Sequence, residues 1–323
     1  MPRWQRLLGD AVSSLDELLD LLGLEAEQVQ ADVRAAKDFP LRVPRGFVQR
    51  MRPGDANDPL LLQVLPSRPE QIEMPGWTAE PLEESIFSPV PGLLHKYLGR
   101  ALLVTTGACA VHCRYCFRRH FPYAEHARDW RPALEQLVAE PSISEIILSG
   151  GDPLSLADGK LAELVGELES IPHIQRLRIH TRLPIVLPER VDEHLLGWLT
   201  STRLRKVMVV HANHAREISP DVVDAFRRLR DVGVTLLNQS VLLKSINDDV
   251  TVLCDLSETL FAAGVLPYYL HLMDRVAGAA HFDVPEATAQ RLIRELRGTV
   301  SGYLVPRLVR EVPGASSKTP VDT

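Results

Sequence analysis

The stretch ALLVTTGACAVHCRYC, residues 101–116, joins a short apolar run to three closely spaced cysteines. The run at 101–106 is rich in branched aliphatic residues and threonine, as buried strands are. Cys109, Cys113 and Cys116 follow it at the spacing C-x3-C-x2-C, and no fourth cysteine completes the group. The stretch therefore predicts a buried strand whose carboxyl end carries a metal-binding loop.

The alternation of apolar runs and helical segments continues along the chain and predicts the fold class. Such regular alternation indicates an α/β protein with a parallel sheet and right-handed crossovers. The further apolar runs lie at 145–149, 175–180, 206–211, 233–238 and 265–272. Segments with helical periodicity lie near 130–140, 156–170, 189–200, 219–231, 248–263 and 285–298.

The residues at the strand ends distinguish between an open doubly wound sheet and a barrel. The cysteines follow the first run, SGGDPL the second and HTRLP the third, while HANH, NQS and HLMD end the last three. A barrel collects the carboxyl ends of its parallel strands around one mouth, whereas a flat sheet spreads them out. We therefore predict a partial TIM-type (β/α)6 barrel.

Two segments flank the predicted barrel core of residues 96–300. Residues 1–95 begin with leucines at helical spacing and continue into a stretch rich in proline and glycine, which predicts a helical and irregular collar. Residues 301–323 hold another apolar run, GYLVPRLVRE, and we expect this C-terminal segment to close or cap the mouth of the barrel.

Composition narrows the functional class. The chain of 323 residues is 45% hydrophobic and 24% charged, and its net charge of −6 argues against nucleic acid or an anionic membrane as a partner. The N-terminus lacks the apolar core of a secretory signal, so we expect a cytoplasmic protein. Four cysteines do not make a disulfide framework, and in a reducing compartment they remain available to bind metal.

Three thiolates indicate an iron–sulfur cluster with one open corner. A [4Fe-4S] cube offers four irons, so three cysteines leave one iron free for a ligand that is not protein. The alternatives are a zinc site completed by His112 or His120, or buried structural cysteines. Crowding of the three cysteines into eight residues disfavours zinc, whose ligands usually come as two separated pairs. Cys254 lies in a helical pattern and is predicted to pack in the core.

The motif C-x3-C-x-Φ-C, with Tyr115 at the aromatic position, resembles the radical S-adenosylmethionine signature. The resemblance implies that S-adenosylmethionine binds the open iron and is cleaved to a 5′-deoxyadenosyl radical. It further implies cofactor contacts from SGGDPL and from the ends of two later strands, namely Gly150, Gly151, Asp152, His211 and Gln239. The alternative is that these residues form an ordinary turn and strand ends satisfied by backbone.

Longer stretches resemble the lysine 2,3-aminomutase family from about residue 40 to residue 320. The similar text includes LLHKYLGRALLVTTGACAVHCRYCFRRHFPY, RLRIHTRLPIV and GVTLLNQSVLL. VPGLLHKY, CFRRHFPYAE and GVLPYYLHLMDRVAGAAHF are most similar to the shorter bacterial branch, which makes (R)-β-lysine for modification of elongation factor P. The resemblance thus implies an isomerase that moves the amino group of L-lysine from C2 to C3.

That family also uses pyridoxal 5′-phosphate, and the resemblance assigns residues to it and to the substrate. Lys318 is implied as the Schiff-base lysine, and the phosphate-binding group as Lys96, Tyr97 and Arg100. Arg118 is implied to bind the substrate carboxylate, and the acids that hold its side-chain ammonium are Asp274 and Glu311. Lys96 stands where the longer enzymes have arginine, and Glu311 where they have aspartate.

Several alternatives and partners remain open at this point. A catabolic enzyme that gives (S)-β-lysine, or an aminomutase for another amino acid such as glutamate, carries the same cysteine motif. A zinc-binding or RNA-binding module without catalysis is an alternative of another class. The resemblance implies a flavodoxin or ferredoxin as electron donor and a functional link to elongation factor P and its lysyl ligase, while a homodimer and a monomer both stay open.

Overall fold

A nine-stranded sheet organises the computed structural model, which describes residues 1–123 and 129–321. The strands lie side by side in the order in which they follow one another along the chain. They are β1 (Leu93–Tyr97), β2 (Arg100–Thr106), β3 (Glu145–Gly150), β4 (Arg176–Thr181), β5 (Arg205–Val210), β6 (Thr235–Val241), β7 (Leu266–His271), β8 (Arg307–Arg310) and β9 (Thr319–Pro320).

Strands β2 to β8 are parallel, whereas β1 and β9 run antiparallel to their neighbours at the two ends. The sequential order without reversal is that of a barrel, because a doubly wound sheet reverses direction at a switch point. Within the described residues β1 and β9 do not pair, so the barrel is partial. The predicted fold class is confirmed, with β8 as one parallel strand more than the six apolar runs indicated.

Helices occur both in the N-terminal segment and in the barrel, and the longer barrel helices lie close to the predicted segments. The N-terminal segment holds α1 (Arg3–Gly9), α2 (Leu15–Leu22), α3 (Val33–Asp38), α4 (Arg45–Val48) and α5 (Pro59–Leu62). The barrel carries α6 (Arg131–Ala139), α7 (Asp158–Ser170), α8 (Leu183–Val186), α9 (Glu193–Ser201), α10 (Pro220–Asp231), α11 (Val250–Ala262) and α12 (Glu286–Thr299).

Helix α12 illustrates why these segments form helices and pack on the sheet. Its buried residues are Ala289, Leu292, Ile293 and Leu296, which share one face at the spacing i, i+3, i+4 and i+7. Each leucine removed from water there stabilises the fold by about 1.5–3 kcal/mol. The apolar stripe therefore fixes which side of the helix faces the strands.

The N-terminal segment packs on the barrel as part of one hydrophobic core that extends from Trp4 to Val265. The leucines at helical spacing form α2, which ends where Gly23 adopts a left-handed conformation with φ 62°. The next helix, α3, begins at Val33, and the Asp32 carboxylate caps it by accepting hydrogen bonds from the amides of Arg34 and Ala35. The segment boundary that we predicted at residue 95 falls inside β1.

None of the helices in the described part of the chain is both long and apolar enough to cross a lipid bilayer.

Candidate active site

The cysteine loop after β2 is anchored by buried ion pairs to the N-terminal segment. The fully buried Arg114 donates from Nε to Glu70 at 2.9 Å and from Nη1 to the backbone oxygen of Phe39 at 2.6 Å. Arg119 donates from Nη2 to the same Glu70 carboxylate at 2.8 Å. A charged group this deeply buried is stable only beside an opposite charge, so these ion pairs fix the loop against the segment.

The three loop cysteines form no disulfide and are free thiols. Burial raises the pKa of Cys109, and it raises the pKa of Cys116 to about 11. Among residues 1–123 and 129–321, no three His, Cys, Asp or Glu side chains converge as one metal ion would require. Thiolates on a cubane each bind a different iron, so the donor set fits a [4Fe-4S] cluster, whose iron charge holds them deprotonated.

Arg182, at the end of β4, donates a hydrogen bond from Nη1 to Sγ of Cys113 at 2.7 Å. Its Nη2 donates to Gln63 at 2.6 Å and to Glu217 at 2.9 Å. Burial alone would lower the pKa of Arg182. The neighbouring Cys113, Tyr115 and Glu217 together raise it by more, so the net shift is upward. A permanently charged donor therefore faces one sulfur of the cysteine group.

A buried network of polar side chains surrounds Arg182. The sequence analysis did not predict that these residues belong to the site. Asn213 donates from Nδ2 to Gln63 at 2.9 Å and to the hydroxyl of Tyr115 at 2.7 Å, while Gln63 donates to Glu217 at 3.1 Å. Arg182 and Asn213 lie in the strand-end motifs HTRLP and HANH, so position alone was a signal for them. Gln63 comes from the N-terminal segment and carried no local signal.

Gly150 and Gly151 allow the end of β3 to lie directly against the cysteine loop. A Cβ atom on Gly151 would lie 2.5 Å from the backbone oxygen of Ala108, and one on Gly150 would lie 2.7 Å from that of Thr106. Gly150 has φ +116°, a conformation that residues with side chains rarely adopt. The amide of Gly151 donates to Thr106 at 2.7 Å. The two glycines thus set the distance between β3 and the loop.

Asp152 joins the end of β3 to the end of β4. Its carboxylate accepts from the Thr181 hydroxyl at 2.7 Å and from the backbone amides of Arg182 at 2.7 Å and Leu183 at 3.1 Å. Burial raises the pKa of Asp152, and the hydrogen bonds partly oppose that shift. Asp152 therefore holds Arg182 in place, and its contact with a cofactor stays a prediction.

A group of histidines lines the barrel interior beside these residues. His211 accepts from Gln239 Nε2 at 2.9 Å, and burial lowers the pKa of His211 to about 3, so the ring is neutral. Burial also lowers the pKa of His180 and of His271. In the described part of the chain the buried Nε2 atoms of His180 and His271 have no hydrogen-bond partner. Polar atoms left in this state fit a ligand that supplies the partner.

Lys318 and Lys96 share the carboxylate of Glu311. Lys318 Nζ lies 2.8 Å from Oε2 and Lys96 Nζ lies 2.8 Å from Oε1, and the Tyr97 hydroxyl also donates to Oε1. Burial would raise the pKa of Glu311, but these partners together lower it to about 2. Glu311 is therefore ionised and joins the β8–β9 connection to β1.

The neighbouring residues Lys96 and Tyr97 reach one carboxylate because β1 is irregular. The register with β2 shifts between Leu94 and Tyr97, and such bulges redirect side chains that would otherwise alternate. Arg100 stacks over the Tyr97 ring at 4.5 Å from its centroid. The structure thus brings the three predicted phosphate ligands together, with Lys96 and Tyr97 bound to Glu311.

Asp274 lies close enough to Lys318, Glu311 and Glu84 to be affected by their charges, and Glu84 is the ion-pair partner of Arg118. Burial raises the pKa of Asp274 to about 7, partly offset by the charge of Lys318. Arg118 donates from Nε and Nη2 to the carboxylate of Glu84, at 2.8 Å and 2.6 Å, and from Nη1 to Ser149 at 3.1 Å. Glu84 lies in the predicted collar, and the sequence analysis did not single it out.

Comparison with known proteins adds the following similarities. Residues 103–256 match the model of the radical SAM superfamily. The chain is 54% identical over 323 residues to the L-lysine 2,3-aminomutase of Escherichia coli, which covers 99% of this chain and 94% of that protein. It is 47% identical to the L-lysine 2,3-aminomutase of Haemophilus influenzae, over 98% of this chain and 94% of the other.

More distant similarities extend the same comparison. The L-lysine 2,3-aminomutase of Clostridium subterminale is 35% identical over 99% of this chain and 77% of that protein. Among solved structures, a radical SAM methyltransferase from Sphaerobacter thermophilus is 15% identical, with a TM-score of 0.48 over 68% of each chain.

Proposed function

This chain belongs to the lysine 2,3-aminomutase family of the radical SAM superfamily, and we propose that it converts L-lysine to (R)-β-lysine. The amino group moves from C2 to C3, and the product serves the modification of elongation factor P. The identity of more than half over nearly the whole length of the E. coli relative supports the reaction. The configuration of the product is the finer part of the proposal.

The observation that carries the proposal is the distribution of charge around Lys318. Arg118 offers a planar guanidinium that can bind a carboxylate through two hydrogen bonds. Asp274 and Glu311 offer two acids near Lys318, where a side-chain ammonium would find opposite charge. An amino acid with a cationic side chain fits both ends, whereas the side-chain carboxylate of glutamate would meet like charges.

The residues present also fit the cofactors of the family. When bound, the cluster and S-adenosylmethionine supply a 5′-deoxyadenosyl radical, and pyridoxal 5′-phosphate supplies the carbonyl that carries the migrating nitrogen. We assign the cluster to Cys109, Cys113 and Cys116. For S-adenosylmethionine we propose contacts from Gly150, Gly151, Asp152, His211 and Gln239. For pyridoxal 5′-phosphate we propose Lys318 as the attachment point and, for its phosphate, Lys96, Tyr97 and Arg100.

Glu311 explains how one set of residues serves both the cofactor and the substrate. Its carboxylate is paired with Lys318 and Lys96 and accepts a hydrogen bond from the Tyr97 hydroxyl. A phosphate that binds Lys96 and Tyr97, and a carbonyl that binds Lys318, would leave Glu311 buried without a cation. A buried carboxylate without a partner is strongly unfavourable, so Glu311 would then attract the substrate ammonium. Glutamate is one methylene longer than the aspartate of the longer enzymes, and the Glu311 carboxylate still lies 2.8 Å from Lys318 Nζ.

Product analysis tests the proposed reaction. Reconstituted and reduced protein is incubated with S-adenosylmethionine, pyridoxal 5′-phosphate and either L-lysine or L-glutamate, and the products are separated on a chiral column. We expect (R)-β-lysine from L-lysine and no β-amino acid from glutamate. Formation of the (S) product would instead support a catabolic aminomutase, and turnover of glutamate alone would refute the substrate assignment.

The proposed partners follow from the same function. We propose a flavodoxin or ferredoxin as electron donor, elongation factor P and its lysyl ligase as the downstream system, a cytoplasmic location and a possible homodimer. Addition of the purified product to the ligase and elongation factor P tests the link, because the mass of the factor should then increase by one β-lysyl group. An unchanged mass would contradict it.

A further inference from the structure

Glu84 binds the Nε and Nη2 donors of Arg118, the pair of donors that a substrate carboxylate would need. We propose that Glu84 holds the place of the substrate carboxylate on Arg118 until substrate displaces it, and that this displacement sets the apparent affinity for the amino-acid substrate. The inference deepens the proposed function and rests on its assignment of an amino acid to this site. Glu84 would then be a residue that determines affinity without taking part in the chemistry.

The hydrogen-bond donors of Arg118 show why both carboxylates cannot bind in the same way at once. A guanidinium has five N–H donors. Nε and Nη2 donate to the two oxygens of Glu84, and Nη1 donates to Ser149 at 3.1 Å and to the backbone oxygen of Gly150 at 3.4 Å. Counting partners among residues 1–123 and 129–321, one donor remains, on Nη2. A second carboxylate can bind through two hydrogen bonds only if one of these partners leaves.

Of these partners, Glu84 is the one that can leave. Ser149 and Gly150 belong to β3, a central strand with neighbours on both sides, and Gly150 packs against the backbone of β2. Glu84 is the first residue of a single turn of 3-10 helix, and the residues on either side of it in the chain, Glu83 and Ser85, are exposed. Its side chain is 16% exposed, against 5% for that of Arg118. Displaced from Arg118, the Glu84 carboxylate has solvent beside it.

The exchange also keeps the buried guanidinium neutralised in both states. Burial acts to lower the pKa of Arg118, but the charge and hydrogen bonds of Glu84 raise it above the ordinary value. An arginine left alone at this depth would be costly, so a carboxylate on it is needed before substrate arrives. Substrate replaces one carboxylate by another. The apparent dissociation constant is the intrinsic constant divided by the fraction of chains in which Glu84 has left Arg118.

Equilibrium dialysis of the reconstituted holoenzyme with radiolabelled L-lysine, without reductant, measures this competition apart from turnover. In Glu84→Gln, the amide keeps the size of the side chain but loses the charge that binds Arg118. We expect the dissociation constant for lysine to fall on the order of tenfold. Glu84→Asp, which is too short to keep both hydrogen bonds, should give a smaller fall. The control Glu83→Gln changes an exposed neighbour and should leave the constant unchanged.

A second ligand shows whether the effect passes through the carboxylate. The diamine 1,5-diaminopentane carries both amino groups of lysine but no carboxylate, so Glu84→Gln should not tighten its binding. Weaker or unchanged binding of lysine to Glu84→Gln would overturn the inference, as would an equal gain for lysine and the diamine. If the parent enzyme binds lysine yet releases no β-lysine, the proposed function fails, while the dialysis still decides the role of Glu84.

Discussion

Arg182 and Cys113 are 69 residues apart in the chain, yet Nη1 of the arginine lies 2.7 Å from the sulfur. Gln63 and Glu217 hold the same guanidinium from the other side. The sulfur that we assign to the cluster therefore receives a hydrogen bond from a permanent positive charge. Both the hydrogen bond and the charge favour the reduced, more negative state of an iron–sulfur cluster.

Replacing Arg182 by methionine should make the reduction potential of the cluster more negative. The substitution removes the donor and the charge but keeps a side chain of similar length. An EPR-monitored redox titration of reconstituted protein measures the potential directly. Arg182→Lys, which retains the charge, should shift it less, and Arg205→Met, an exposed change at the start of β5, should not shift it. A more positive potential in Arg182→Met would contradict this role.

Replacing Glu70 by glutamine should destabilise the fold, because Arg114 and Arg119 both depend on its carboxylate. Loss of one partner from a buried ion pair typically lowers the free energy of unfolding by about 3–5 kcal/mol. Denaturant titration of the iron-free chain measures the change. Glu73→Gln, an exposed substitution in the same segment, is the matched control and should change the free energy little. Equal stability of Glu70→Gln and the parent would show that the pair is not required.

Adding a methyl group at Gly151 should prevent the cysteine loop from closing against β3. The new Cβ would lie within 2.5 Å of the Ala108 oxygen, and backbone atoms there cannot move aside easily. We expect Gly151→Ala to retain much less iron after reconstitution, as measured by metal analysis. Gly166→Ala adds the same methyl in open space on helix α7 and should keep its full iron content. Full iron content in both variants would refute the steric argument.

Lys318 should be the residue to which pyridoxal 5′-phosphate becomes attached. Borohydride reduction followed by peptide mass spectrometry should find the cofactor on Lys318 in the parent. No covalent cofactor should remain in Lys318→Ala, whereas Lys160→Ala, which alters an exposed helix residue, should behave as the parent. Attachment to Lys96 instead of Lys318 would exchange the roles that we assign to these two residues.

Asp274 should make the stability of the ligand-free chain depend on pH. Burial raises its pKa in the folded state from 3.8 to about 7, so the folded chain holds a proton that the unfolded chain releases. The stability from the protonated acid is fully present below 3.8 and is lost as pH rises through about 7. Asp274→Asn, which resembles the protonated form, should therefore gain stability relative to the parent over this window.

Denaturant titrations of Asp274→Asn and the parent at about pH 5 and about pH 8 measure that difference. The advantage of the variant should be larger at the higher pH and constant beyond it. An advantage that shrinks as the pH rises would contradict the direction of the pKa shift.

Much of the fold and part of the site could be predicted because they depend on local patterns. The strand and helix positions follow from apolar runs and helical spacing. His211 and Gln239, which lie near the carboxyl ends of neighbouring strands, are in contact. The contacts of Glu84 and Gln63 could not be predicted in this way. Both lie in a proline-rich segment without periodicity, and their partners Arg118 and Arg182 lie far along the chain, in the segments that follow β2 and β4.

The order of strands and helices, the cysteine group at the first strand end, and the resemblance that names candidate residues can all be read from spacing along the chain. The folded structure was needed to find that Glu84 binds Arg118, that Arg182 faces Cys113, and that Glu311 pairs with two lysines. The physical reason is that buried charges take their partners from whichever segment folding brings near, and spacing along the chain does not encode that choice.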